Sequence, residues 1–369
     1  MKRPRVKLDR RARAALAAAS LVIGCAKDKS APTVPELRET NAVATLQVPS
    51  KPVALDLRTY DGSNQAVHPD YAAPVAPWGR RYFYLALTPY PMGTSAHENP
   101  SLYASLDGVK WKAAPNAPMP LAQPTEGHLS DPDVVYASAR NELFLYYRQA
   151  GLTDRIFLTR SADGARWRLP RALFDGPRGG VLSPAVVRRR AGDWRMWSIN
   201  AGTGCQDSTT SVELRRSSDG VDWSAPEPVS LPIPARQFAW HIDVAWIPAR
   251  AEYWALFPVK APGTCVTTAI FLATSPDGVT WRTLPSPVMT AGAIPEFADV
   301  VYRSTFAYDA RRDVVTLWYS GARQREDIYT WRTAAQTRTR AELFASAGRA
   351  PTTKLPRARR SVRTTFNPP

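Results

Sequence analysis

The sequence predicts an all-β chain folded as a five-bladed β-propeller of four-stranded antiparallel blades, and three observations carry that expectation. The phrase Ser-x-Asp-Gly-x-x-Trp recurs four times, at residues 105–111, 161–167, 217–223 and 275–281. Its aspartates, Asp107, Asp163, Asp219 and Asp277, are 56, 56 and 58 residues apart, slightly longer than the usual period of a propeller blade. The chain also holds 34 prolines and twelve tryptophans in 369 residues, which suits short strands and many turns and argues against long helices.

Each phrase reads as a hairpin turn with an anchor. Asp bonds the backbone two residues on, Gly supplies a positive φ, and the indole is large enough to plug a gap between stacked sheets. Upstream of each turn lie an opening polar-apolar segment, an aromatic-rich strand and a third strand that runs into the turn. The openings fall at residues 68–71, 130–136, 182–187, 240–245 and 302–306. The fifth unit lacks the phrase. Its missing outer strand is assigned to residues 53–58, which alternate like a strand and would close the ring. A sixth blade would need a repeat that the sequence does not contain. The turns themselves are expected at the outer rim.

The two ends read differently. Residues 1–25 combine a basic stretch, a short apolar run and Val22-Ile23-Gly24-Cys25, which resembles the lipobox of bacterial lipoproteins, where Cys25 would be lipidated. An ordinary cleaved signal or a weak membrane anchor is the alternative; the apolar run is too short for a transmembrane helix. Residues 26–44 are expected to be a flexible tether, 45–345 the propeller, and 346–369 a basic, Pro-containing disordered tail. The net charge is +16, but residues 1–24 contribute +6 and residues 349–369 another +6, leaving +4 on the body. That distribution argues against a nucleic-acid partner. The expected setting is a bacterial cell envelope, with a monomer held at the membrane by its N-terminal lipid. Cys205 and Cys265 then remain as a pair in equivalent loops of the third and fourth blades, and an exported compartment permits a disulfide between them.

In a propeller the innermost strands start on one face, and the loops between second and third strands return to it. Into that mouth fall His68, Asp70, Glu98, Asp131, Asp133, His241, Asp243 and Arg303, and all four histidines of the chain lie at or beside it. Asp70, Asp131, Glu98 and Asp243 are the candidate catalytic carboxyls. His68, Asp133, His241, Arg303, Tyr90, Trp240 and Arg148 are the candidate substrate-binding groups. Arg303 suits bidentate pairing with an acidic sugar or a bridge between blades, and Tyr90, Trp78 and Trp240 suit stacking on pyranose faces. His241 with Asp243 reads as a clamp on sugar hydroxyls, a metal-ligand pair or a structural hydrogen bond. No metal or other cofactor is expected, because no tight ligand spacing such as His-x-x-x-His occurs. The sequence also has no phosphate-binding glycine loop and no nucleophile elbow.

Asp131-Pro132-Asp133 at an inner strand, the repeated turn phrase and Tyr319-Ser320-Gly321 in the last blade resemble the arabinanase and levansucrase-like glycoside hydrolases over residues 55–335. The phrase is also similar to the Asp-box of sialidases, with one residue fewer between Asp and Gly. The hydrolase resemblance implies an Asp in the first blade as base or nucleophile, matched by Asp70, and one in the second that tunes it, matched by Asp131. The Glu it implies as acid in the third blade is absent, where Ser183-Pro184-Ala185 stands instead. Glu98 or Asp243 is the substitute, provided its environment raises its pKa. The resemblance thus implies an oligo- or polysaccharide as partner and glycoside hydrolysis as the reaction. The alternative is a non-catalytic glycan-binding or surface-assembly propeller.

Overall fold

The computed structural model describes residues 44–74, 81–205, 207, 209–326 and 328–348, all within the compact unit Pro32–Pro369. Cys25, Trp78, the signal, most of the tether and residues 349–369 lie outside them.

Strand-forming runs rich in Val, Ile, Tyr, Phe and Trp pair mostly with their sequence neighbours, so blades 1 to 4 each close as an antiparallel sheet within one unit, while blade 5 borrows its outer strand. Blade 1 runs outward through Ala66–Ala72, Phe83–Pro89, Ser101–Ser105 and Lys112–Ala113. Blade 2 comprises His128–Ala137, Glu142–Ala150, Thr153–Ser161 and Arg171–Pro177. Blade 3 comprises Leu182–Arg190, Asp193–Asn200, Ser211–Ser217 and Glu227–Pro228. In blade 4 the inner edge is split into Phe238–Ala239 and Asp243–Ile247, followed by Glu252–Lys260, Thr267–Ser275 and Arg282–Thr283. Blade 5 comprises Val300–Asp309, Val314–Arg325 and Ile328–Thr339, and its outer strand is Val53–Ala54, with Val53 opposite Ala335. The segment before the first blade therefore closes the ring.

Apolar cores lie between neighbouring blades. Blades 1 and 2 share Tyr84, Leu102, Val134 and Leu145, and blades 2 and 3 share Phe144, Tyr146, Val186 and Trp194. Leu256, Leu272, Phe306 and Leu317 join blades 4 and 5.

The turn phrases sit differently from the outer-rim expectation. Each is wedged against the second strand of the preceding blade. The Gly108 carbonyl accepts from its own Trp111 Nε1 at 3.0 Å and from Trp318 Nε1 of blade 5 at 2.9 Å. The Gly220 carbonyl accepts from the Tyr146 hydroxyl at 2.7 Å, and that of Gly278 from Trp197 Nε1 at 2.9 Å. Gly220 has φ +77°, and a Cβ there would lie 2.8 Å from the Tyr146 oxygen, so glycine is required for both conformation and approach. Blade 5, which lacks the phrase, is followed instead by the helix Arg340–Gly348, whose Phe344 packs on Trp254 of blade 4 at 5.2 Å.

Candidate active site at the blade openings

A shared irregularity shapes the mouth. The inner strands of blades 1, 2 and 3 slip register between Val67 and Asp70, Ser130 and Asp133, and Leu182 and Ala185. His68, Asp131 and Ser183 sit in these bulges with φ of 56°, 51° and 54°. A positive φ is costly for such residues and persists only where the surroundings impose it. Blade 4 is interrupted at residues 240–242 and blade 5 slips between Val301 and Ser304.

The bulges separate two clusters. In the first, Asp131 Oδ1 lies 3.7 Å from His68 Nε2, 3.1 Å from His241 Nδ1 and 3.3 Å from Arg303 Nη1. Its other oxygen accepts from the Ser130 hydroxyl at 3.1 Å. His68 Nδ1 faces Thr88 Oγ1 at 3.0 Å and a Glu98 oxygen at 3.6 Å, and the other Glu98 oxygen lies 3.6 Å from His128 Nε2. Neither Glu98 oxygen, nor His68 Nε2, nor either ring nitrogen of His241 has a hydrogen bond aligned to it. All of these groups are buried except His128, which is partly exposed.

The second cluster lies two residues further along the same strands. The carboxylates of Asp70, Asp133 and Asp243 approach within 4.8 Å of one another. Asp70 accepts from the backbone N–H of Val134 in blade 2 at 2.6 Å, and Asp133 from that of Val186 in blade 3 at 3.1 Å. Asp243 bonds Thr305 and the backbone of Phe306 in blade 5. Thr305 Oγ1 in turn accepts from the N–H of Tyr71 in blade 1, and Ser183 donates to the Ile242 carbonyl, so the inner strands are laced around the axis.

Electrostatics separate the clusters further. Burial holds His68 well below the usual imidazole range and lowers His241 too, so both rings are neutral at neutral pH. Burial pushes Asp131 upward, but the proximity of His68 and His241, the hydrogen bond from the His241 ring and the charge of Arg303 outweigh it and keep the carboxyl well below its ordinary value. Burial, then repulsion by Asp131, lifts Glu98 well above the carboxylate range. Burial and mutual repulsion likewise raise Asp70 and Asp133, and burial brings Asp243 to about 6. Burial lowers His128 to about 4.

Two neutral imidazoles and an ionised carboxylate, with ligand atoms all within 4.8 Å of one another and ring nitrogens left unpaired, form a donor set that fits a divalent metal ion. The expectation of no metal rested on spacing along the chain. These donors come from blades 1, 2 and 4 and meet only across the axis. The Thr88 and Glu98 contacts at His68 Nδ1 leave Nε2 as the ligating atom. The three-carboxylate cluster is already bonded to backbone N–H groups.

The other candidates take structural positions. The Tyr90 and Trp240 rings are both about 1% exposed and present no face for a sugar. Tyr90 packs on Trp331 at 5.3 Å, and Trp240 Nε1 donates to the Tyr302 hydroxyl at 3.2 Å. Arg148 is buried in an ion pair with Asp154 at 2.7 Å, and Arg303 holds Asp131 and reaches the Pro184 carbonyl at 3.4 Å, so neither is free to clamp an acidic sugar. Cys205 and Cys265 form a disulfide between the loops of blades 3 and 4, Cα atoms 4.8 Å apart. The fully buried Lys260 donates to the carbonyls of Cys205 and Asp207 at 2.9 Å each and lies 5.2 Å from the Trp240 ring. Sequence reasoning gave no role to His128 or Tyr302; Tyr302 lies 4.4 Å from the His241 ring, and its place at the fifth opening was the available signal.

This site sits on a fold with known counterparts. No family model matches the chain. It is similar to the A type blood N-acetyl-α-D-galactosamine deacetylase of Flavonifractor plautii, 29% identical over 308 residues and 70% of this chain. It spans about 40% of that relative's length. A crystal structure of an N-acetylgalactosamine deacetylase from F. plautii superposes with a TM-score of 0.73 at 24% identity, covering 82% of this chain and all of the other. The catalytic domain of a Coprinopsis cinerea family-62 α-L-arabinofuranosidase superposes with a TM-score of 0.57 at 12% identity, covering 80% of this chain and 98% of the other. A thermostable family-43 glycoside hydrolase gives the same TM-score at 12% identity, over 79% of this chain and 91% of the other. The chain is thus a five-bladed propeller related in architecture to these enzymes.

Proposed function

We propose that the chain is a metal-dependent carbohydrate amidohydrolase that removes the acetyl group from an N-acetylated amino sugar within a glycan. The observation that carries this reading is the convergence of His68, Asp131 and His241, with unpaired ring nitrogens, beside a buried and unpaired Glu98. The similarity to the N-acetylgalactosamine deacetylase of F. plautii supports an acetamide as the reacting group.

Amide hydrolysis needs a polarised carbonyl, an activated water and a proton for the departing nitrogen. A divalent ion, if held by His68, Asp131 and His241, would supply Lewis acidity at the carbonyl. The attacking water loses a proton as the new C–O bond forms and the nitrogen gains one as the C–N bond breaks, releasing acetate and a free amine; Glu98, buried with both oxygens unpaired between His68 Nδ1 and His128 Nε2, is the carboxyl assigned to carry that proton. Its burial suits this exchange, since a raised pKa lets one carboxyl serve as base and then as acid. Arg303 donates to Asp131 Oδ1, the same oxygen that the two imidazoles face, and Thr88 fixes the ring of His68. The same reading keeps residues 1–25 as an export signal ending at a lipidated Cys25, so that the enzyme works on extracytoplasmic glycans at a membrane.

Glycoside hydrolysis fits this geometry less well. Two of the four candidate carboxyls, Asp70 and Asp243, are engaged in bonds between blades, while Asp131 is committed to two imidazoles and an arginine. One assay separates the readings. The purified chain is stripped with a chelator, reloaded with zinc or manganese, and given N-acetylgalactosamine- and N-acetylglucosamine-terminated oligosaccharides. Acetate release that needs the metal and disappears in Asp131→Asn is expected. Reducing-sugar release in its place, or acetate release that survives chelation, overturns the proposal.

A further inference from the structure

The inner edge of blade 4 is broken where it carries His241. Phe238–Ala239 pairs with Val259 and Lys260 of the second strand, and Asp243–Ile247 with Glu252 to Leu256, so His241 lies in the gap between two ladders. Its ring is therefore placed by what holds its neighbours. On one side Ile242 exchanges bonds with the Ser183 hydroxyl of blade 3, at 3.2 and 3.4 Å. On the other, the Trp240 N–H bonds the Pro258 carbonyl at 3.0 Å, and the indole is fixed at two further points. Nε1 donates to the Tyr302 hydroxyl, and the Tyr302 ring lies 4.4 Å from that of His241 and 5.6 Å from that of His68. The Lys260 ammonium lies 5.2 Å from the centre of the Trp240 ring and 5.7 Å from that of Phe238.

Lys260 is fully buried, yet its ammonium forms no ion pair among the described residues. Its partners are the carbonyls of Cys205 and Asp207, at 2.9 Å each, and the aromatic faces. A buried charge stripped of such partners is costly, so the ammonium depends on this cage. Both carbonyls belong to a mouth loop of blade 3, whereas Lys260 ends a strand of blade 4. The covalent link between the two sides is Cys205–Cys265. The loop's own bonds are local: the Asp207 carboxylate accepts from the Thr203 and Thr209 N–H groups at 3.0 and 2.7 Å, and the Asp207 N–H bonds the Gly204 carbonyl. The disulfide thus keeps the cage over the ammonium.

We propose that Lys260 is a positioning residue of the site: caged by the disulfide-tethered loop, its ammonium holds Trp240, and through Trp240 it holds His241 and Tyr302. Reduction of the disulfide then loosens the site. Two electrons and two protons, from a thiol or phosphine reductant, convert Cys205–Cys265 into two thiols; the loop is released, and Lys260 loses the carbonyls that fix it against the indole. The placement of His241 stands on geometry alone, and only its consequence for a metal rests on the deacetylase reading.

The chain has four histidines, so isotope-labelled histidine in the full chain gives an imidazole nitrogen spectrum that single substitutions assign. In metal-free protein, reduction with a phosphine, the Cys205→Ser/Cys265→Ser double variant and Lys260→Met should each move or broaden the His241 signals and leave those of the exposed His97 in place. Reduction of the folded parent serves as the test if Lys260→Met does not fold, and thermal unfolding checks the fold in each case. Zinc affinity of the folded variants, from competition with a chromogenic chelator, should fall about tenfold, and the visible spectrum of the cobalt-loaded protein should shift. A purely structural lysine would lower the melting temperature and leave the histidine and cobalt spectra of the folded protein unchanged. His241 signals unmoved by reduction overturn the proposal, as does parental zinc affinity in the variants. A parent that binds no zinc overturns the deacetylase reading instead, and the histidine spectra still decide this one.

Discussion

The two clusters at the axis are built on the same strands, two residues apart, yet they do opposite things. Asp70, Asp133 and Asp243 each give an oxygen to a backbone N–H group or a hydroxyl of the next blade, as a propeller needs where its sheets converge, and the second oxygen of Asp133 stays buried without a partner. His68 and His241, two residues earlier, keep ring nitrogens without an aligned hydrogen bond and face a shared carboxylate, 3.1 Å from His241 Nδ1. Buried polar groups are normally paired, and an unpaired set that converges on one point is the mark of a ligand site. The comparison teaches that the mouth is an architectural ring beneath a chemical one.

The largest effect should come from breaking the upper ring. Asp131→Asn is expected to lower deacetylation more than a hundredfold and to weaken zinc binding by about 10- to 100-fold or more, measured by acetate release and by competition with a chromogenic chelator. Glu98→Gln should abolish turnover to a similar degree while leaving zinc affinity within a few-fold, because Glu98 carries the proton in this proposal and is not one of the three ligands. In the lower ring, Asp70→Ala removes the acceptor of the Val134 N–H and should cost about 1–3 kcal/mol in stability. Thermal unfolding should register that cost with zinc affinity unchanged. An Asp70→Ala variant that lost metal but not stability would erase the distinction between the rings.

Much of the fold was legible, because the Asp-Gly turns recur at fixed spacing and index the blade openings. The pairing of Cys205 with Cys265 was legible for the same reason. The separation of the rings was not. In a regular strand His68 and Asp70, or Asp131 and Asp133, point to one face, and only a bulge with φ near +50° divides them. The metal donors left no spacing signal because each comes from a different blade. Tyr90 and Trp240 read as stacking platforms because an aromatic near a mouth gives no hint from sequence of whether its face is covered.

A smaller effect lies in pH dependence, where the rings have opposite signs. His68 and His241 are depressed below the 6.5 of the unfolded chain, so they favour the native state above that value and lose this contribution as pH falls below it. Asp243 rises from 3.8 to about 6, so its contribution is full below pH 3.8 and disappears as pH rises through 6. Between these limits the two trends oppose each other. Asp243→Asn should remove one of them, and its melting temperature relative to the parent should rise from pH 4.5 to 6.5. A parallel shift at every pH would show that Asp243 titrates alike in folded and unfolded chains.

The smallest expected effect concerns a hydroxyl at the turn end of the blades, away from the upper ring. Tyr146→Phe deletes the hydroxyl that donates to the Gly220 carbonyl while keeping the ring that packs between blades 2 and 3. The lost bond is worth about 0.5–1.5 kcal/mol, seen as a lower urea midpoint at unchanged slope. The cost should stay small because the ring still fills the gap and the turn keeps its own Asp219 contacts to Val221 and Asp222. Acetate release per folded molecule should remain at the parent value, since the Tyr146 hydroxyl bonds the Gly220 turn and no residue of the upper ring, while its backbone lies opposite Asp133 of the lower one. A matching loss of activity would mean that the staples between blades set the geometry of the mouth, and that the chemical ring depends on turns at the far end of the strands as well as on the bulges beside it.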